Sequence, residues 1–414
     1  MQKLNILIVS QYFYPEEFRV NDLAVELAAR GHEVVVLTGV PNYPKGKFFD
    51  GYGWFCPSRQ EYQGVTVLRV PLLPRGHQQS WRLVLNYVSF ALFASIVGPW
   101  RCRGAFDVIF VYEPSPITVA IPGIVLRWFK KAPLLLWVQD LWPESLVATG
   151  AVHSRAILAA VSKLVRWIYR HCDIILVQSR GFIHSVITMG AERSRIQYFP
   201  NWAEALYVPQ EREGEERNRL GIPQGFCLMF AGNIGVAQDF PTILSAMSEL
   251  RSEKDFHLVV VGDGRMASWV REEIERRRLG HMVHLLGSHP VETMPTYFVA
   301  ADAMLVTLKR EPIFALTIPG KIQSYMACGR PIIAGLDGEG ARVTAEARAG
   351  FVAPAEDAQA LAAAIRKMMA LLPKARAVLG RNAREYYDAH FDRNRLIDEL
   401  EKQMTEFVTR LRNV

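Results

Sequence analysis

The apolar positions fall mostly into short unbroken runs, each followed by a polar loop and then by a stretch of helical period. Residues 4–9 are such a run. A loop over 11–21 follows, then a helical pattern through 22–30 stopped at Gly31, then a second run over 33–38. A strand that is apolar on both faces belongs to a parallel sheet, so the pattern predicts a β-loop-α-β unit opening a doubly wound α/β fold. Further strands are expected at 108–112, 134–138, 174–178 and 196–199. The rhythm then breaks. Ten of the sixteen residues over 204–219 are Asp, Glu, Lys, Arg, Asn or Gln, which reads as a linker. Beyond it the pattern restarts, with strands expected at 226–231, 257–261, 283–286, 303–308 and near Phe351. Helices are expected at 240–250, 266–278, 290–298, 339–348 and from 356 onward. The sequence thus predicts two tandem Rossmann-like parallel-sheet domains, 1–203 and 204–380, with C-terminal helices over 381–414 packing back across an interdomain cleft. Such clefts are preferred ligand sites.

Candidate chemistry gathers in residues 313–335. An uncharged segment ends in Leu316, Thr317, Ile318 and Pro319, a helical segment with Lys321 as its cation follows, and Gly329 and Pro331 break it. Thr317 can cap this helix and Pro319 suits its first turn, so the amides before the helix are expected to converge. A helix N-terminus carries about half a positive charge, and Lys321 adds a full one, which suits a phosphate or diphosphate. The plain alternative is a capped helix in an ordinary α/β domain. The tetrapeptide Gly232-Asn233-Ile234-Gly235, after an expected strand, is a second candidate. Its small residues let a diphosphate approach the backbone, and Asn233 tolerates a left-handed conformation; otherwise it is a simple strand-to-helix turn.

The 11–21 loop contains no glycine, so it lacks the G-x-G-x-x-G that dinucleotide sites need, and nicotinamide or flavin chemistry is not indicated. Arg19 and Asn21 instead offer side-chain donors at the carboxyl edge of the first strand, and Asp140 and Glu144 follow the strand expected at 134–138. No Walker loop, H-E-x-x-H, G-x-S-x-G or D-x-D occurs, so a metal held by closely spaced aspartates is not indicated either.

A chain of 414 residues that is half hydrophobic can fill two cores of roughly 200 residues each. Its five cysteines are scattered without a C-x-x-C pair, which argues against a disulfide framework or zinc and fits a reducing cytosol. The first strand begins almost at once, so no cleaved leader is expected. Charge is uneven: residues 1–200 hold 21 Lys+Arg against 13 Asp+Glu, a net of +8, and the remainder is at −1. A basic first half suits an anionic surface. No RNP-like motif, zinc finger or dense basic run supports nucleic acid, so the expected partner is a phospholipid surface or phosphate-bearing lipid. Residues 83–100 carry no charge and are bounded by Arg82, Arg101 and Arg103; apolar residues over 116–126 precede Arg127, Trp128, Phe129, Lys130 and Lys131. Asn86, Ser89, Ser95, Gly98 and Pro99 dilute the first stretch, so a buried or bilayer-touching helix is expected rather than a span.

The series Phe199-Pro-Asn-Trp202, Ala231-Gly-Asn-Ile-Gly235, Val261-Gly-Asp-Gly264, Leu286-Gly287, Ala301-Asp302 and Pro319-Gly-Lys…Tyr325-Met-Ala-Cys-Gly-Arg-Pro331 resembles glycosyltransferase family 4 over nearly the whole chain. With Val138 to Ser145, VQDLWPES, it is most similar to the bacterial branch named for fucosaminyl transferases of O-antigen assembly. The resemblance implies the GT-B fold, with an acceptor-binding first domain and a nucleotide-sugar-binding second. It also implies retaining, metal-independent transfer of a hexosyl or aminosugar group from a nucleoside diphosphate sugar, UDP-linked, to a lipid-linked sugar, on the inner face of the plasma membrane. No cofactor is implied.

Carried over by position, Gly232 to Gly235 and the amides of Leu316, Thr317 and Ile318 would hold the diphosphate. Gly287, Ser288 and His289 would lie by the base, Asp140 would orient the reacting hydroxyl, and Arg19, Asn21 and Glu144 would serve the acceptor. The family's pair of glutamates eight residues apart is missing: Leu316 and Ser324 stand there, so Gln323 or Ser324 would take the ribose and Glu311 or main-chain amides the sugar. The cations usual after the first glycine turn are missing as well, which shifts their share to Lys321. A sugar-nucleotide epimerase of GT-B fold and a nonenzymatic nucleotide-sugar-binding protein are the alternatives; donor turnover without an acceptor marks the first, and lack of turnover the second.

Overall fold

The computed structural model describes residues 2–54, 57–76, 80–148, 150, 152–212 and 214–412, so Cys56 lies outside the described residues. The chain forms two compact units, Met1–Phe199 with Leu396–Val414, and Pro200–Arg395.

The first unit is built on eight strands: β1 (Asn5–Val9), β2 (Glu33–Gly39), β3 (Arg59–Tyr62), β4 (Val65–Val70), β5 (Val108–Glu113), β6 (Leu134–Val138), β7 (Ile174–Val177) and β8 (Ile196–Tyr198). They lie in the order β3-β4-β2-β1-β5-β6-β7-β8, parallel except for the edge strand β3. The β3–β4 hairpin has no counterpart in the sequence reading. Its outer strand, Arg-Gln-Glu-Tyr, is polar and half exposed, so no apolar run marks it. The strand order reverses between β1 and β5, where open α/β sheets form ligand crevices beyond the carboxyl ends.

The uncharged stretch after Arg82 is one helix, Ser80–Arg101. It is the one helix among the described residues long and apolar enough to cross a bilayer by length and composition, and a third of its apolar window is buried. Its polarity is inverted relative to an ordinary surface helix. Asn86 and Ser89 are buried, with Asn86 Nδ2 donating to Leu73 O at 2.6 Å, while Gln11 Nε2 donates to Asn86 Oδ1 at 2.7 Å. Outward stand Trp81, Val84, Val88, Leu92, Ile96 and Trp100, three or four residues apart and all exposed. Two of the polar residues that diluted the stretch, Asn86 and Ser89, therefore face the protein.

The second unit holds β9 (Phe226–Ala231), β10 (Phe256–Val261), β11 (Val283–Gly287), β12 (Ala303–Thr307), β13 (Ile332–Gly335) and β14 (Gly350–Ala353), all parallel in the order β11-β10-β9-β12-β13-β14. Here the order reverses between β9 and β12. Alternate residues feed two cores: Met229, Val259 and Met304 meet Ile322 and Met326 on one face, and Leu228, Leu258 and Leu305 meet Ile243 and Met247 on the other.

Two expectations need correction. The polar segment 204–219 is not a loose linker: Glu216 and Arg217 are buried, Arg217 Nη2 lies 2.6 Å from Asp302 Oδ2, and Arg212 Nη2 donates to Ala300 O at 2.6 Å. Its charges are there to meet a carboxylate at the start of β12. Nor do residues 381–414 act together. The helix Pro373–His390 stays with the second unit, where Tyr387 enters the core, whereas the last helix, Arg393–Arg412, joins the first from Leu396 onward. Glu401 fixes it there, with Oε1 3.1 Å from His32 Nε2 and Oε2 3.2 Å from Arg30 Nη1, while His32 Nδ1 accepts from Leu4 N at 3.1 Å.

Removing Glu401 would leave buried His32 without its partner, whereas Arg30 keeps Glu26 and Asp398. Glu401→Ala is expected to destabilise the first unit by about 2 kcal/mol, the scale of a buried polar group left unsatisfied, read from urea denaturation; a loss below about 0.5 kcal/mol, the surface-substitution range, would make this contact incidental.

Candidate active site

The carboxyl ends of β9, β10 and β11 each run into a glycine turn, and the three turns are joined through their backbones. Gly232 N donates to Val261 O at 2.8 Å, Gly262 N to Gly287 O at 2.8 Å and Ile234 N to Asp263 O at 2.8 Å. Positive φ angles of 127°, 145° and 76° at Gly232, Gly262 and Gly287 make this possible. At Gly262 a side chain is also excluded by space, because its Cβ would stand 2.0 Å from Gly232 O. The left-handed freedom expected of Asn233 is supplied by Gly232 instead: Asn233 is not among the residues of positive φ. Asn233 is exposed, and its side chain borders Gly235 and Gly264.

Lys321 lies across this turn. Its Nζ sits 3.4 Å from the centroid of the Phe230 ring, and a Cβ on Gly232 would come within 3.0 Å of Nζ and 2.8 Å of Cε. The ammonium is buried and has no hydrogen-bond partner among the described residues. Loss of water lowers its pKa from 10.5 to about 7. With a ring beneath, a bare glycine beside and no counter-ion among the described residues, the amine either sheds its proton or keeps its charge against an anion from outside the chain.

The helix that carries Lys321 is Gly320–Ala327, with Pro319 at its N-cap and no side-chain cap. Thr317 does not cap it. The segment before it forms a short helix, Pro312–Ala315, and Thr317 Oγ1 donates to Phe314 O at 3.0 Å. The amides of Leu316 and Thr317 are likewise engaged, with Ile313 O and Phe314 O. Of the three amides expected to meet a diphosphate, only that of Ile318 stays outside this turn, and the open donors pass to the first helical turn at Gly320 and Lys321.

Gln323 is buried and donates through Nε2 to Asn201 O at 2.6 Å, so it fastens the 199–202 segment instead of facing a ribose. Ser324 Oγ donates back to Gly320 O at 3.2 Å. Glu311 stands at the N-cap of Pro312–Ala315, partly exposed, its carboxylate making no hydrogen bond or ion pair among the described residues. Ser288 and His289 are exposed, with His289 Nε2 3.1 Å from Leu286 O.

Three contributors escaped the sequence reading. Phe230 looked like any strand residue, yet its ring helps desolvate Lys321. Gly262 was visible only as part of a motif. Tyr325 fell on the expected apolar face, but its hydroxyl clamps the end of β9, lying 3.2 Å from Ala231 N and 3.3 Å from Ala231 O.

In the first unit the glycine-free loop after β1 is organised by a carboxylate. Glu16 is buried, Oε1 accepting from Asn42 N and Tyr43 N at 2.7 Å each, and burial pushes its pKa up to about 7. Arg19 is the first residue of the helix Arg19–Ala29. Asn21 lies within that helix and donates to Glu16 O at 2.6 Å, so it holds the loop instead of offering a free donor. At the ends of β5 and β6 stand Glu113 and Asp140. Burial raises both carboxyls; each is raised further by a neighbouring acid, Glu113 by Asp140 and Asp140 by Glu144. Asp140 accepts from Ser145 Oγ. Glu144 opens the short helix Glu144–Ala148 with Oε2 buried and unpartnered, and the wholly buried Tyr169 hydroxyl beside these acids also lacks a partner. Among the described residues no group of three His, Cys, Asp or Glu could hold a metal ion.

The two units match two halves of one enzyme type. Residues 17–202 match the model of the glycosyl transferase 4-like domain, and residues 225–370 that of the glycosyl transferases group 1. The chain is a family 4 glycosyltransferase with the GT-B fold. It is 25% identical over 392 residues to the putative colanic acid biosynthesis glycosyl transferase WcaI of Escherichia coli, covering 90% of this chain and 91% of that one. It is 27% identical over 331 residues to the probable glycosyltransferase WbjE of Pseudomonas aeruginosa, covering 76% and 78%. Among solved structures, Anabaena Alr3699/HepE in complex with UDP superposes with a TM-score of 0.71 at 15% identity, over 98% of this chain and all of that one.

The burial of Lys321 in this glycosyltransferase carries a stability signature. A lysine whose pKa is about 7 when folded and near 10.5 when unfolded disfavours the folded state as pH falls across that window. Unfolding free energy of the ligand-free enzyme is expected to drop by roughly 1 kcal/mol per pH unit between pH 10 and 8, measured by urea denaturation. Lys321→Ala should flatten that slope; an equal slope in both proteins would contradict the burial of a charge.

Proposed function

We propose that this glycosyltransferase moves a sugar from a UDP-linked donor, with retention at the anomeric carbon, onto a lipid-linked sugar acceptor during assembly of a bacterial surface polysaccharide. The observation that carries the reading is the unpartnered Lys321 ammonium over the Gly232 turn. Departure of a nucleoside diphosphate builds negative charge where this cation and the open amides of Gly320 and Lys321 are already aimed, and preorganised donors stabilise such charge most. The bond from the anomeric carbon to the phosphate oxygen breaks, the acceptor oxygen bonds to the same face of that carbon, and the hydroxyl proton passes to the departing phosphate. No protein nucleophile is then required. Asp140 serves as the group that orients the hydroxyl, Glu311 as the carboxylate that meets the donor sugar, and Arg19 and Glu144 attend the acceptor.

The naming of WcaI for colanic acid biosynthesis supports a surface polysaccharide as product, and the UDP in the HepE structure supports the uridine donor. The segment 138–145 favours the O-antigen fucosaminyl transferase branch, and with it lipopolysaccharide. For the membrane we rely on the outward apolar row of Ser80–Arg101. Trp81 and Trp100 bracket it, exposed Trp128 and Phe129 stand on the helix Ala120–Lys130 that packs beside it, and Arg82, Arg103, Lys130 and Lys131 lie close in sequence. Apolar residues between aromatic and basic ends suit the interface of an anionic bilayer, with the enzyme peripheral on the cytosolic face.

Lys321→Ala is expected to cost about 2–4 kcal/mol in kcat/KM for transfer from a UDP-sugar to a lipid-linked acceptor, the scale of a removed charge-stabilising group. Near-normal turnover would remove the lysine from the reaction. The intact enzyme should sediment with phosphatidylglycerol vesicles at low salt, and a Val88→Asp, Leu92→Asp double variant should stay in the supernatant; equal partitioning of the two would place the bilayer elsewhere.

A further inference from the structure

The second unit has another cation-rich feature, away from the glycine turns. At the amino-terminal side of β12 and β13, the edge opposite the turns, lies a cavity of about 680 Å³. Five arginines line it, Arg212, Arg330, Arg376, Arg381 and Arg384, against two acids, Asp302 and Glu211. Asp302 cannot balance them. Its Oδ2 already accepts from Arg217 Nη2 at 2.6 Å and Cys227 N at 2.8 Å, and its Oδ1 is shared by Arg212 Nη1 at 3.3 Å and Arg376 Nη2 at 3.9 Å. Carbonyl contacts satisfy part of the remainder: Arg376 Nη1 donates to Leu371 O at 2.8 Å and Arg384 Nη1 to Ala327 O at 2.7 Å, while Arg384 also pairs with Asp388. These bonds explain a structural role for Arg212, Arg376 and Arg384.

They do not explain Arg330 or Arg381. Arg330 donates one Nη to Ala301 O, yet its buried Nε has no acceptor. Burial, reinforced by repulsion from Arg212, pulls its pKa from 12.5 down to about 10. Arg381 stands exposed on the rim with no partner among the described residues. A concave surface with excess positive charge concentrates anions, and guanidinium forks match phosphate oxygens in pairs. The volume falls within the range of small-molecule sites, enough for a diphosphate with an organic group attached.

We propose that this arginine-lined cavity is a second binding site of this glycosyltransferase, separate from the Lys321 turn, for a small phosphate- or diphosphate-bearing anion. Its probe is inorganic pyrophosphate, titrated calorimetrically at constant ionic strength into full-length Lys321→Ala protein, in which the other cation is gone. One saturable site is expected there. Adding Arg381→Glu should weaken it by about tenfold or more, the scale of one lost charge-assisted contact, and adding Arg330→Gln should abolish it. Should Arg330→Gln fail to fold, the rim variant carries the test alone, since exposed Arg381 makes no hydrogen bond or ion pair among the described residues. Absence of saturable binding to Lys321→Ala, or an affinity unmoved by the arginine variants, would overturn the proposal and leave the arginines as braces for the 209–212 segment.

Discussion

A lysine ammonium stripped of water and given no counter-ion is the constraint around which the second unit is arranged. Such a charge is tolerated only where the surroundings hold it firmly. Tyr325 clamps the end of β9 from below, Phe230 places its ring under Nζ, and Gly232 leaves the space that a methyl group would take. The backbone bonds from β9 to β10 and on to β11 then fix that turn against the sheet. The chain thus holds a buried lysine at a cost in folding stability.

The first unit solves a different problem at the same topological position. Beyond its switch point the acids are withdrawn from water, and their carboxyls hold protons more tightly than free ones. Glu16 replaces, with one carboxylate and three main-chain amides, the ordering that glycines provide elsewhere. A loop held this way packs large side chains into its own interior, with buried Tyr12 stacked on Phe18 at 5.0 Å, where a glycine-rich loop would present bare backbone.

Most of the fold was legible because strands buried on both faces announce themselves as apolar runs, and both sheets consist almost wholly of such strands. What escaped was polar or depended on partners distant in sequence, apart from the apolar run Val65–Val70, a buried strand that the reading passed over. Arg59–Tyr62 pairs at an edge and needs no apolar face. The charges of Arg212 and Arg217 signalled solvent until Asp302, far along the chain, appeared opposite them. Lys321 and the glycine turn Gly232 to Gly235 were named from the sequence, and the structure brings them side by side. The duties assigned to Thr317, Gln323 and Asn21 were not legible there, because a hydroxyl or amide that can reach a ligand can equally reach a nearby carbonyl, and in all three cases it does.

The three linked turns also divide the second unit into parts that can and cannot change. No side chain fits at Gly262, and any at Gly232 would press on the lysine, so this part of the cradle admits almost no variation. Ser288 and His289 extend from the third turn into solvent, His289 resting against the Tyr297 ring at 4.9 Å and on Leu286 O, Ser288 with no such tie among the described residues. Among the three turns, exposed Ser288 therefore offers the freest ground for substitution, and a library there would leave the backbone links of Gly232 and Gly262 untouched.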